Sequence, residues 1–175
     1  STGVSTTFKD FRVDNCELWG WSSASISIGT GSTNALIDHN FIHHNRRTGM
    51  GYGVVTGRSI GNIGVFATIE ANIFEACRHD VASTGWNLTS YEARYNVVLP
   101  REQGTSFDRH GTQDPGSWVG GVGGDYTLVH HNTIQYIKSQ GVHVRGVPTK
   151  EKGVQVHHNW FYHSSQSDAI WFYTP

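Results

Sequence analysis

Long apolar runs are missing from this 175-residue chain, and without roughly 20 apolar residues in succession no membrane-spanning helix is expected. A charge excess is missing too. Thirteen Lys and Arg offset 14 Asp and Glu, a net charge of −1, which leaves no basic surface of the kind that holds nucleic acid. Charged residues of both signs make up only 15% of the chain, so any place where they gather needs a reason. Two cysteines, Cys16 and Cys77, are too few for a disulfide scaffold. Ala, Leu, Glu and Lys are scarce, whereas glycine numbers 21 and aromatics reach 12%, a composition that disfavours helices and suits short strands separated by turns. The opening STGVSTTF has no initiator Met, charged n-region or apolar h-region, which fits a processed or internal start. The length suits one domain over residues 1–175, either alone or as a fragment of a longer chain.

What the chain does contain is a repeat. LIDHNFIHHN at 36–45, LVHHNTIQYI at 128–137 and VQVHHNWFYH at 154–163 share a β-type run, a polar pair, an Asn and then apolar residues. Aligned on the Asn, the repeat also takes in Asn72 and Asn96, with Cys16 in place of the first Asn. Two positions after this landmark stand Leu18, Ile42, Phe74, Val98, Ile134 and Phe161, and three before it Val13, Ile37, Ile69, Ala93, Val129 and Val156. A second strand-like run, closed by Gly29, Gly57, Gly85, Gly111 or Gly146, follows about a dozen residues later. These columns fit a solenoid in which each repeat is one coil and equivalent positions stack at about 4.8 Å. In such a coil the Asn accommodates a left-handed bend between strands, and its amide bonds to the next Asn in the stack to form a ladder. The longer steps become inserted loops near GRSIGN, PREQG and TQDPGSWVGGVGGD. Cys16 and Cys77 fall at different points of non-adjacent turns, so no bond between them is expected.

With these columns the chain resembles the right-handed parallel β-helix of the pectate-lyase-like superfamily, over about residues 11–172. The resemblance implies an all-β parallel β-helix of about six coils with an internal Asn ladder. It implies little about activity, since that superfamily holds lyases, glycoside hydrolases, epimerases, esterases, tailspikes and adhesins. No catalytic signature of those enzymes is matched, and the amphipathic capping helix of complete folds is absent from the sequence. Uncapped solenoid ends would favour self-association or a longer parent chain.

The candidate chemistry sits on the second strand-like run. With Val81, Phe107 and Val142 inward, Asp80, Asp108, His110, His143 and Arg145 face outward on neighbouring coils as the candidate catalytic groups, with Arg78, His79 and Arg109 beside them as candidate substrate-binding residues. SISI in the early coils fits the opposite parity. Carboxylates, imidazoles and a guanidinium in one patch shift one another's pKa values toward acid–base work near neutrality. An elimination would use Arg145 on a uronate carboxylate with His110 or His143 as the base. A hydrolysis would use Asp80 and Asp108 as the acid and base pair. The sequence leaves lyase and hydrolase open. Trp86 and Trp118 are candidates to stack on sugar faces. Glu92 and Arg94 are expected to form a structural pair near Glu70.

No cofactor is expected. Zinc wants three or four ligands in tetrahedral array, which a flat ribbon of HHN histidines does not offer, so one member of each pair is expected to stack inward and the other at the surface. Calcium would find only Asp80, Asp108 and Asp125. The expected partner is a polysaccharide, met in a secreted or cell-surface setting. A non-catalytic carbohydrate-binding, adhesive or filament-forming module is the alternative.

Overall fold

The computed structural model describes residues 1–57, 63–100, 103–113, 118–136, 139–163 and 167–173. Residues 58–62, 101–102 and 114–117 of the three expected loop insertions lie outside this set.

The described residues hold strands and no helix. The first coil is β1 (Thr2–Thr6), β2 (Arg12–Asp14) and β3 (Glu17–Trp19), and the second is β4 (Ala24–Ile28), β5 (Ala35–Asp38) and β6 (Phe41–His43). The third is β7 (Tyr52–Thr56), β8 (Val65–Glu70) and β9 (Ile73–Glu75), and the fourth β10 (His79–Ser83), β11 (Thr89–Arg94) and β12 (Val97–Val98). The fifth is β13 (Phe107–Arg109), β14 (Tyr126–His130) and β15 (Thr133–Tyr136), and the sixth β16 (Val142–Val144), β17 (Val154–His157) and β18 (Trp160–His163), with β19 (Ile170–Phe172) opening a further coil. Each strand pairs in parallel with its equivalents one coil away, giving one seven-stranded sheet and two six-stranded sheets. This is an all-β parallel β-helix of about six coils.

The columns legible in the sequence are the core. Ile37, Ile69, Ala93 and Val129 are in register in the second sheet, as are Ile42, Phe74, Val98 and Ile134 in the third, and all eight are buried. In the first sheet Ile26, Val54, Val81, Phe107 and Val142 form the inward column. Ile26 thus shares the parity of Val81, and the opposite reading of SISI is corrected. The reason lies in the glycine landmark. Gly57 directly follows the strand position held by Thr56, whereas Gly85 stands two places after the equivalent Ser83, so aligning on glycine slips the register by one.

The ladder is continuous. Oδ1 of Asn72 accepts from the main-chain N and Nδ2 of Asn40, both at 3.0 Å, and the same two bonds join Asn72 to Asn96, Asn96 to Asn132 and Asn132 to Asn159. At the first coil the main-chain N of Cys16 donates to Asn40 Oδ1, which is why a residue without an amide is tolerated there. The left-handed residue is the one before the ladder position: Asn15, His39, Ala71, Tyr95, His131 and His158 have φ of 52–56°. Positive φ swings these side chains outward, so His131 and His158 are both exposed and the expectation of inward histidines is also corrected. The glycine column has a steric cause as well. A Cβ on Gly111 would collide with the Gly120 and Arg145 carbonyl oxygens. Cys16 and Cys77 form no disulfide.

Candidate functional site

The register of the first sheet places Ala82, Asp108, His143 and Trp171 in one outward column. Asp108 points away from the core and is nevertheless fully buried, because side chains from its own and adjoining coils close over it. Arg145 grips the carboxylate through two atoms, Nε to Oδ1 at 3.1 Å and Nη2 to Oδ2. His110 Nε2 stands 3.0 Å from Oδ2, His79 Nε2 3.6 Å from Oδ2, and His143 Nδ1 3.9 Å from Oδ1. Burial alone would raise the pKa of Asp108, but His79, His110 and Arg145 together outweigh it and hold the carboxyl well below its usual range. Asp108 is therefore a fixed anion.

The imidazoles differ in access. His79 is buried, with Nδ1 2.6 Å from the Thr105 carbonyl oxygen, so Nδ1 carries the hydrogen. Burial lowers its pKa to about 4 against the opposing pull of Asp108. His143 is lowered to about 4 as well, first by burial and then by Arg145 and His110, and its ring lies parallel to Trp171 at 4.6 Å. His110 reaches the surface. Its ring is parallel to Trp118 at 6.4 Å, and with Thr84, Gly85, Trp86, Gly111 and Trp118 it lines a cleft of about 180 Å³. Both tryptophans of the cleft are 38% exposed.

Sequence reasoning therefore brought Asp108, His110, His143, Arg145 and His79 to one place, with Trp86 and Trp118 at its edge. It mistook their exposure. Asp80 and Asp108 are both fully buried and present no surface to a ligand. Arg78 is half-buried beside Tyr52, a residue that sequence reasoning passed over; Tyr52 is in register with His79 and its ring stacks on the imidazole at 5.8 Å. A correct parity for the third coil would have found it. Arg109 is corrected outright. It lies in the inward column of Thr56, Ser83 and Val144, fully buried, and so cannot bind substrate. Its guanidinium donates to Thr127 Oγ1 at 2.7 Å, Ser83 Oγ at 2.6 Å and the Tyr126 carbonyl at 2.9 Å, and lies over the Tyr91 ring. Ser83, Thr89 and Thr127 are the buried polar side chains that hold it.

The other expected groups sort themselves by partner. Arg94 bonds to Glu70 at 2.6 Å and Glu92 at 3.0 Å, the structural cluster anticipated. Asp125 Oδ1 accepts from Leu88 N and Thr149 Oγ1, a loop-fixing role. Asp108, already saturated by a guanidinium and imidazoles, is not the open carboxylate that calcium seeks.

Fold and site together define a parallel β-helix bearing an ion-locked cluster and an aromatic-walled cleft on one face. Beyond that class, comparison with known proteins adds nothing: no family model, curated protein or solved structure matches the chain. No helix among the described residues is long and apolar enough to cross a membrane.

Proposed function

We propose that this chain processes a polysaccharide by β-elimination, outside the cell or on its surface, at the cleft between Trp86 and Trp118. The observation that carries the reading is the position of His110. It is an imidazole fixed by an ionised Asp108, facing a sugar-sized cleft whose other walls are exposed indole rings. Indoles take the apolar faces of sugar rings. His110 takes the proton from the carbon beside a uronate carboxyl, a C=C bond forms as the glycosidic C–O bond breaks, the leaving oxygen takes a proton from water, and His110 returns its own proton to the solvent. Elimination is preferred to hydrolysis because Asp80 and Asp108 are both fully buried, and Asp108, held well below the usual carboxyl range by its imidazole and guanidinium neighbours, is no proton donor; the two do not supply an acid and base pair. Arg145 is neutralised by Asp108, so its part is to hold that anion rather than to meet the substrate.

The test is incubation with a panel of acidic and neutral polysaccharides, reading ultraviolet absorbance of unsaturated ends beside reducing ends. Unsaturated products that vanish in His110→Ala and fall in Trp118→Ala support the reading. Reducing ends alone would replace elimination by hydrolysis. The complete burial of Asp108 favours one other reading, a non-catalytic carbohydrate-binding module, in which a glycan is bound at the same tryptophans with no product formed and His110→Ala changes only affinity.

A further inference from the structure

Two consecutive coils carry His-His immediately before a ladder Asn, and the register pairs His130 with His157. The first histidine of each pair ends a strand and the second has positive φ, 55° at His131 and 54° at His158. That change of backbone sign turns two adjacent side chains to the same side. Their Nδ1 atoms consequently meet, at 2.9 Å for His130 and His131 and 2.8 Å for His157 and His158. The two pairs stack along the solenoid, with ring centroids 4.9 Å apart for His130 on His157 and 4.8 Å for His131 on His158. Ligand nitrogens of the exposed His131, His157 and His158 lie within 4.8 Å of one another.

A supporting group fixes the chemistry. His130 Nε2 is 2.9 Å from Glu92 Oε1, and Glu92 is itself held by Arg94 at 3.0 Å. A carboxylate only accepts, so Nε2 carries the hydrogen and Nδ1 of the neutral ring presents its lone pair toward His131. This carboxylate–imidazole arrangement orients metal-ligating histidines and makes them better donors.

We propose that His130, His131, His157 and His158 form a surface site for one divalent transition-metal ion, with preference for Cu²⁺ over Ni²⁺ and Zn²⁺. Two imidazole nitrogens each about 2.0–2.1 Å from an ion are about 2.9 Å apart at a right angle and about 3.4 Å apart at the tetrahedral angle. The pairs as folded match the right angle, which suits tetragonal copper and nickel. An all-nitrogen donor set excludes calcium and magnesium, which require oxygen ligands. The exposed rings close the remaining distance by side-chain rotation.

The experiment is a calorimetric titration of the whole chain with Cu²⁺ at neutral pH in a non-coordinating buffer, with electron paramagnetic resonance of the loaded protein. Asn is the replacement of choice at His131 and His158, since it adopts the left-handed conformation and keeps the turn. One equivalent bound at micromolar concentration, a spectrum with at least three nitrogens, affinity at least tenfold weaker in His131→Asn, in His158→Asn and in the chain carrying both, and no change in His44→Asn, a left-handed histidine outside the two stacked pairs, are expected. Glu92→Gln weakens binding about 10- to 100-fold. Unchanged affinity in the doubly substituted chain, no uptake at micromolar Cu²⁺, or a spectrum with fewer than three nitrogens would each overturn the proposal. The spectrum of the unsubstituted chain decides the matter even if a variant fails to fold.

Discussion

Removing the Asn96 side chain tests whether the ladder carries stability or merely accompanies it. Asn96 Nδ2 donates to the Ile69 carbonyl at 2.8 Å and to Asn132 Oδ1 at 3.0 Å, and Oδ1 accepts from Asn72 N at 3.0 Å and Asn72 Nδ2 at 3.1 Å. Three of the four partners keep another bond in Asn96→Ala: Asn72 Nδ2 still reaches the Ile37 and Glu70 carbonyls, Asn132 Oδ1 still accepts from Asn96 N, and the Ile69 carbonyl keeps its place in the ladder between β8 and β11. The Asn72 amide loses its acceptor, in a coil interior closed to water. A buried orphan costs about 1–3 kcal/mol, so Asn96→Ala should lose about 3 kcal/mol once the small cavity is included. Asn159→Ala, at a half-buried rung, should lose about half as much. Urea denaturation with a common m-value measures both. A loss below about 1 kcal/mol at Asn96, or equal losses at the two rungs, would show that the ladder follows from the coil geometry without supporting it.

Acid should expose the two depressed imidazoles. His79 and His143 titrate near pH 4 when folded and near 6.5 when unfolded, so as pH falls through that window the unfolded chain takes up protons first and stability drops. The loss from His79 is on the order of 3 kcal/mol, and His79→Gln should flatten the curve of urea midpoint against pH. Asp108 steepens the loss at the acid end of that window, since its carboxyl is held well below the usual range when folded and the unfolded carboxyl therefore takes up its proton first. Arg109→Met should cost about 3 kcal/mol in the same assay, because Ser83, Thr127 and the Tyr126 carbonyl lose a donor inside the core; a variant as stable as the parent would refute its structural role. Ala71, held at φ 54°, should gain about 1 kcal/mol when changed to Gly, read as a raised midpoint.

Much of the architecture is legible in the sequence because a solenoid repeats one environment. Leu18, Ile42, Phe74, Val98, Ile134 and Phe161 all answer the same question, and six answers outweigh the noise of one. The bend was harder to place. Ala71 and Tyr95 occupy left-handed positions that their residue types do not favour, and only the coils stacked on either side hold them there. Arg109 was hidden for a related reason. Its partners, Ser83, Thr89 and Thr127, come from distant points of the chain, and each reads as an ordinary strand residue until the coils are stacked. At the candidate site the residue types and their alternation pointed to the right patch. The burial of Asp108 depends on how His79, Arg145 and the neighbouring rings fold over it, which no one-dimensional pattern encodes.

The ladder also has a bearing on how such a chain can acquire new surfaces. Successive rungs are separated by 24, 32, 24, 36 and 27 residues, yet each is joined by the same main-chain N to Oδ1 bond of 2.9–3.0 Å. The axis therefore registers completed circuits and is indifferent to the length of each circuit. Extra residues can bulge from a coil without displacing the coils above or below it. Trp118 arrives in the longest of these circuits, between Asn96 and Asn132, so the wall of the cleft was added at the rim while the spacing of Asp108 and His143 beneath it stayed that of neighbouring strands.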